Sequence, residues 1–103
     1  MNGQLLREAL ALRRDLGMGQ RPLKYLACLK ALSRTKYMTA NEIARRAEQL
    51  FRSVRLDSDQ AAGILRILHY AGYVERKRNE TFKTKWLYRR NGKQIPTPGV
   101  SES

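Results

Sequence analysis

The sequence predicts a mainly α protein with one small β-hairpin, an α+β fold. Three observations carry that expectation. Ala61, Ile64, Leu65, Leu68 and Ala71 recur at helical spacing and make one apolar face. Gly72 follows where a helix needs a residue tolerant of positive φ. From Tyr73 the pattern changes to short alternating strands, Tyr73–Arg78 and Lys83–Arg90, around the polar turn Asn79-Glu80-Thr81.

Taken in order, residues 2–16 read as a first helix with the stripe Leu5, Ala9, Leu12 and Leu16, widened by Leu6 and Leu10. Gly17-Met18-Gly19 breaks it. This 1–19 unit is either a cap on the core or a dimer arm. Pro22 suits the first turn of a second helix running to about Ser33. Its apolar surface is wide enough to be covered on more than one side. Cys28 there reads as a small core residue.

Arg34–Lys36 is a basic turn, and Tyr37-Met38-Thr39 reads as a short strand pairing with the hairpin. Thr39 or Asn41 caps a third helix, with Glu42 near its positive end. Ile43, Ala44, Ala47, Leu50 and Phe51 are expected to face in. Arg45, Arg46, Glu48 and Arg52 face out, as a solvated face or as phosphate contacts. Asp57 or Ser58 caps the next helix. Its outward face then holds Asp59, Ala62, Gly63, Arg66 and Tyr70, with Gln60, Ile67 and His69 at the flanks. In the hairpin, Val74, Trp86 and Tyr88 are expected to point inward. Asn91-Gly92 turns the chain, and 94–103, with its prolines and polar end, reads as a disordered tail.

The run A-A-G-I-L-R-I-L-H-Y-A-G-Y-V-E-R, preceded by T-A-N-E-I-A-R-R-A, resembles winged helix-turn-helix regulators of the MarR type and their relatives. The segment L-x-x-A-G-Y-V-E-R is the most specific part. The resemblance covers roughly residues 20–90, and the domain it implies spans 20–93, with an extra N-terminal helix. It makes Ser58–Tyr70 the groove helix and Arg76–Lys85 the wing. Two departures stand out: an unusually long helix before the Ser53–Asp57 connection, and two acids at the start of the groove helix.

The formal charge is +12, from 21 basic and 9 acidic residues, with a pI near 10.6. That balance favours a polyanion, nucleic acid first and an anionic membrane surface second. It is unevenly spread. Residues 1–56 carry net +8, residues 57–72 net −1, and residues 73–90 net +5. Phosphate contacts dominate affinity while base contacts specify. Arg76, Lys77, Arg78, Lys83 and Lys85 are therefore the expected source of binding energy, helped by Arg34 and Lys36. Arg66 can reach guanine, Gln60 adenine, Ser58 a base or phosphate, and Ala62 a thymine methyl. Gly63 lets the backbone come close, and Tyr70 packs beside the sugar-phosphate.

These expectations converge on a sequence-preferring, double-stranded DNA-binding transcriptional regulator. Small domains often dimerise, and a homodimer through residues 4–16 is expected. The alternatives are a protein–protein module of a nucleic-acid machine and a low-specificity architectural binder of nucleic acid. One cysteine and one histidine fall short of an ordinary zinc site. No GxxxxGK[ST], GxGxxG or HExxH occurs. Neither an enzyme, a metal nor a cofactor is expected. With no apolar run near the ~20 residues of a membrane span, and charges interrupting Leu5–Leu16, no membrane partner is expected. The expected location is cytoplasmic, on the nucleoid.

Overall fold

The computed structural model describes residues 3–17, 21–80 and 86–95, with side chains from residue 6 onward. Four helices, α1 (Gly3–Leu16), α2 (Pro22–Ala31), α3 (Ala40–Leu50) and α4 (Ser58–Tyr70), precede a two-stranded antiparallel hairpin. Its strands are β1 (Val74–Arg78) and β2 (Trp86–Arg90).

Helix α2 is the centre. Leu26, Ala27, Cys28, Leu29 and Ala31 are all buried, because α1, α3 and α4 each pack on it. Fully burying one such leucine contributes roughly 1.5–3 kcal/mol. From α1 come Ala9 and Leu12; from α3, Ile43, Ala44 and Ala47; from α4, Ala61, Ile64, Leu65 and Leu68. Cys28 sits among them with its thiol pushed up to about 12 by burial. It is a small apolar filler, since a thiolate there would be desolvated.

The helix ends follow local chemistry. The Thr39 hydroxyl accepts from the Glu42 N–H while the Glu42 carboxylate accepts from the Thr39 N–H, a reciprocal cap on α3. Asp57 and Gln60 do the same for α4. At the far end of α4, Gly72 at φ +91 lets its own N–H reach the His69 carbonyl and the Tyr73 N–H reach the Leu68 carbonyl. Both orphan carbonyls are satisfied by one left-handed residue.

The hairpin is held at its root. Val74 pairs with Arg90, Arg76 with Tyr88 and Arg78 with Trp86. Met38 exchanges both backbone hydrogen bonds with Tyr88 at 2.8 Å, so the segment after α2 joins the edge of β2. Ser33 adds a carbonyl for the Arg90 N–H at 2.8 Å.

Several expectations are corrected. Helix α2 stops at Ala31, not Ser33. Leu32 is extended, and Ser33 uses its hydroxyl on the N–H groups of Thr35 and Lys36. Leu50 points outward, half exposed, because it ends α3. Helix α3 has only 11 residues; the extra length lies in the connection 51–57. That connection is ordered by Arg45 donating to the Leu56 carbonyl and by Glu48 accepting from the Leu56 N–H at 2.8 Å. Of the expected inward hairpin set, Val74 and Tyr88 are buried but Trp86 is only half-buried. Ile95 packs against the core. The rest of the expected tail, 96–103, lies outside the described residues, as do the hairpin tip 81–85 and the Met18 and Gly19 of the expected break.

Sequence reasoning missed one tie. Tyr73 is fully buried and its hydroxyl donates to Asp15 at 2.6 Å, joining the end of α1 to the root of β1. Lys93 completes the knot, 3.4 Å from the same carboxylate and 4.5 Å over the Tyr73 ring.

Candidate nucleic-acid interface

Helix α4 turns its apolar face to α2 and α3 and leaves the opposite face open. Arg66 is exposed there, and Tyr70 is 81% exposed, the most open large apolar side chain described. At Gly63, among the described residues, nothing outside the helix's own backbone lies within 4 Å of where a Cβ would stand, so the helix backbone is open to them at that point. Ser58 is exposed in the first turn. Two of the expected base readers are partly committed elsewhere. The Gln60 side-chain carbonyl accepts from the Asp57 N–H at 3.2 Å, and Ala62 is partly packed against the core. Asp57 turns its carboxylate onto the Gln60 N–H at 2.7 Å, so only Asp59 of the two acids faces outward uncommitted to the cap. His69 is half-buried, 6.2 Å edge-on from the Tyr70 ring.

The hairpin has two unlike faces, because successive side chains alternate. On one face lie Val74, Arg76 and Arg78 with Trp86 and Tyr88. The Arg76 guanidinium stacks 4.1 Å over the Trp86 ring, and Arg78 flanks the same ring at 5.8 Å. Such contacts contribute about 0.5–1 kcal/mol at exposed sites and hold the cations in place without neutralising them. On the other face Lys77 and Arg89 lie over Tyr37 at 4.4 and 4.5 Å. Arg89 is also paired with Glu75 at 3.0 Å, and that bond chiefly raises its pKa.

Tyr88 links hairpin and helix. Burial pushes its phenol above the usual tyrosine range, opposed by the positive charges of Arg76 and Arg66. The charges of Arg66, on α4, and of Arg76, on β1, thus both act on that buried phenol. Neither makes an ion pair with a carboxylate among the described residues, and nor does Arg78.

The expected contact residues thus fall into separate groups. Arg76 and Arg78 share one hairpin face over Trp86, and Arg66 stands on α4, which packs on β1. Lys77 belongs to the Tyr37 face. Arg34 lies near Arg90, whose guanidinium is lowered first by burial and next by the Arg34 charge. Lys36 is exposed in the same turn. Lys83 and Lys85 lie outside the described residues.

A second feature was not expected. Arg21, Lys24 and Tyr25 of the α2 start face Asp59, Gln60, Gly63, Ile64, Arg66 and Ile67 across an open cleft of about 300 Å³. Only Pro22, which fixes where α2 begins, hinted in the sequence that Arg21 and Lys24 would sit at a helix start. Pairing them with α4 needed the packing angle. Among the described residues no group of three or more His, Cys, Asp or Glu side chains is placed to hold a metal. No described helix is long and apolar enough to cross a membrane. Compared with family models, curated proteins and solved structures, the chain gives no match.

Proposed function

We propose that the protein is a winged helix-turn-helix binder of double-stranded DNA, with α4 as the groove helix and the β1–β2 hairpin as the wing. The observation that carries this reading is the packing of β1, with Arg76 and Arg78 on one face, against α4, whose open face holds Arg66. An exposed helix face and an adjacent cationic ribbon suit a major groove with phosphates beside it. The role is transcriptional regulation without catalysis, on nucleoid DNA. Leu6 and Leu10, 49% and 43% exposed, support pairing of two copies through residues 4–16 on a two-fold site.

Fluorescence anisotropy with labelled duplexes tests this. With six to eight phosphates contacted, log K falls with log salt at a slope of about −5 to −7. Selection from random duplexes should return a palindromic consensus. Failure to bind duplex even at low salt removes the reading. A second reading, low-specificity nucleic-acid binding, is favoured by the commitment of Gln60 to the helix cap and of Ala62 to the core. Equal affinity for unrelated duplexes would select it.

A further inference from the structure

The cleft between α2 and α4 brings three cations together without a partner. Arg21 and Lys24 come from the start of α2, and Arg66 from α4. None of them forms an ion pair among the described residues, including with Asp59, which lines the same cleft. Like charges held together raise the local potential and attract a counter-anion. The start of α2 adds its partial positive charge.

Two backbone features belong to the same place. Arg21 holds φ 50 and ψ 54, a left-handed conformation uncommon outside glycine, and caps α2 without using its side chain. Among the described residues its guanidinium has no ion-pair partner. Gly63 lies in the interior of α4, where glycine is disfavoured, and among the described residues nothing outside the helix backbone lies within 4 Å of where its Cβ would stand.

We propose that this cleft is a phosphate-ester site, with Arg21, Lys24 and Arg66 on the phosphate and Tyr25, Gly63 and Ile67 beneath the attached sugar. Three cations against the single carboxylate of Asp59 in the lining call for an oxyanion, and guanidinium groups match phosphate geometry. The apolar side chains in the same lining, Tyr25, Ile64 and Ile67, call for a body joined to that anion, so an ester suits the cleft better than free phosphate. The volume lies at the small end of the roughly 300–1,000 Å³ typical of ligand clefts. The ester has two sources: a link of a nucleic-acid backbone, or a free nucleotide. The first rests on the duplex-binding reading; the cleft's preference for an ester does not. If the backbone is the source, Arg66 positions the duplex rather than reading guanine.

The test pairs two readouts on the full chain. Amide NMR spectra are recorded during titration with thymidine 5′-monophosphate and, separately, inorganic phosphate. Duplex affinity is measured against salt. The variants are Arg21→Asn with Lys24→Gln, Gly63→Leu, and the hairpin control Arg76→Gln with Arg78→Gln. Asparagine tolerates the left-handed conformation and leucine favours helix, so the cleft variants should keep the fold. The expected result is saturable shifts at Lys24, Gly63 and Ile67, larger for the nucleotide than for phosphate. Both cleft variants should lose them and the hairpin control should keep them. A salt slope smaller by about 1–2 in the Arg21/Lys24 variant assigns the site to the backbone. An unchanged slope with nucleotide shifts assigns it to a free nucleotide. Absent shifts and an unchanged slope, with duplex binding intact, overturn the site and leave the DNA reading standing. Shifts in a protein that binds no duplex overturn the DNA reading and leave the site.

Discussion

Replacing Tyr73 by Phe should cost about 1.5 kcal/mol at neutral pH. The ring stays buried and loses only its hydroxyl, which donates to the Asp15 carboxylate at 2.6 Å. Hydrogen bonds to a charged group contribute roughly 1.5–3 kcal/mol net. The lower end applies because the Asp15 side chain is 30% exposed and keeps Lys93 at 3.4 Å. The effect has a pH signature. The Tyr73 hydrogen bond is the main reason the Asp15 carboxyl lies below its ordinary value of 3.8; Lys93 helps and burial opposes. A lowered folded pKa gives stability that is full above the unfolded value and is lost as pH falls through the folded one. Tyr73→Phe should therefore destabilise most at pH 7 and progressively less below about pH 4. Urea unfolding of the wild type, Tyr73→Phe, Asp15→Ala and the double variant, at pH 7 and pH 3, measures the coupling. In thermal scans the single change should lower Tm by roughly 6–12 °C. A loss under about 0.5 kcal/mol, or one equal at both pH values, would refute the assignment of Asp15 as the hydroxyl's acceptor.

Three further outcomes are expected. Gly72→Ala should cost about 1–2 kcal/mol by chemical denaturation, because φ is +91 while the added methyl would meet the Lys93 side chain at an ordinary 3.6 Å. Thr39→Ala removes one half of the α3 cap and should cost roughly 0.5–2 kcal/mol; restoration by Thr39→Ser would tie that loss to the hydroxyl. Cys28 should resist alkylation at pH 8 until urea unfolds the chain, because burial pushes its thiol up to about 12; modification of the folded protein at the unfolded rate would contradict its burial.

Much of this was readable because its causes are local. The period of α4, the glycine after it and the alternation into β1 lie within one window of sequence. So do the Thr39–Glu42 pair and the Met38 segment. What escaped depends on residues far apart in the chain. From its local sequence Tyr73 is only a strand former, since its partner Asp15 lies 58 positions away. The cleft escaped because no sequence pattern sets the angle at which α2 meets α4. Trp86 faces inward as alternation predicts and packs against the core, but toward the hairpin tip it is only half-buried and carries two arginines over its ring. Leu50 was placed inside by spacing that ignored the end of α3. Among the expected contacts, Arg66 and Arg76 come onto neighbouring elements only through the packing of β1 on α4. Alternation alone put Lys77 on the opposite side of the ribbon from Arg76.

The junction after α4 governs more than where that helix stops. Asn91 donates its side-chain amide to the Gly72 carbonyl, and its backbone N–H reaches Tyr73 at 3.1 Å. Lys93 reaches the Ala71 carbonyl at 2.6 Å. The returning strand is thereby riveted to the end of the rod, and the angle between them is set before any visitor arrives, which lowers the ordering cost of binding. The same rivet makes spacing critical. One residue inserted between Gly72 and Val74 would roll β1 over by half a turn, exchanging Arg76 and Arg78 for Glu75 and Lys77 on the side toward α4. Evolution can therefore retune the charges on this ribbon one at a time, but the count of residues leading into it is not free to drift.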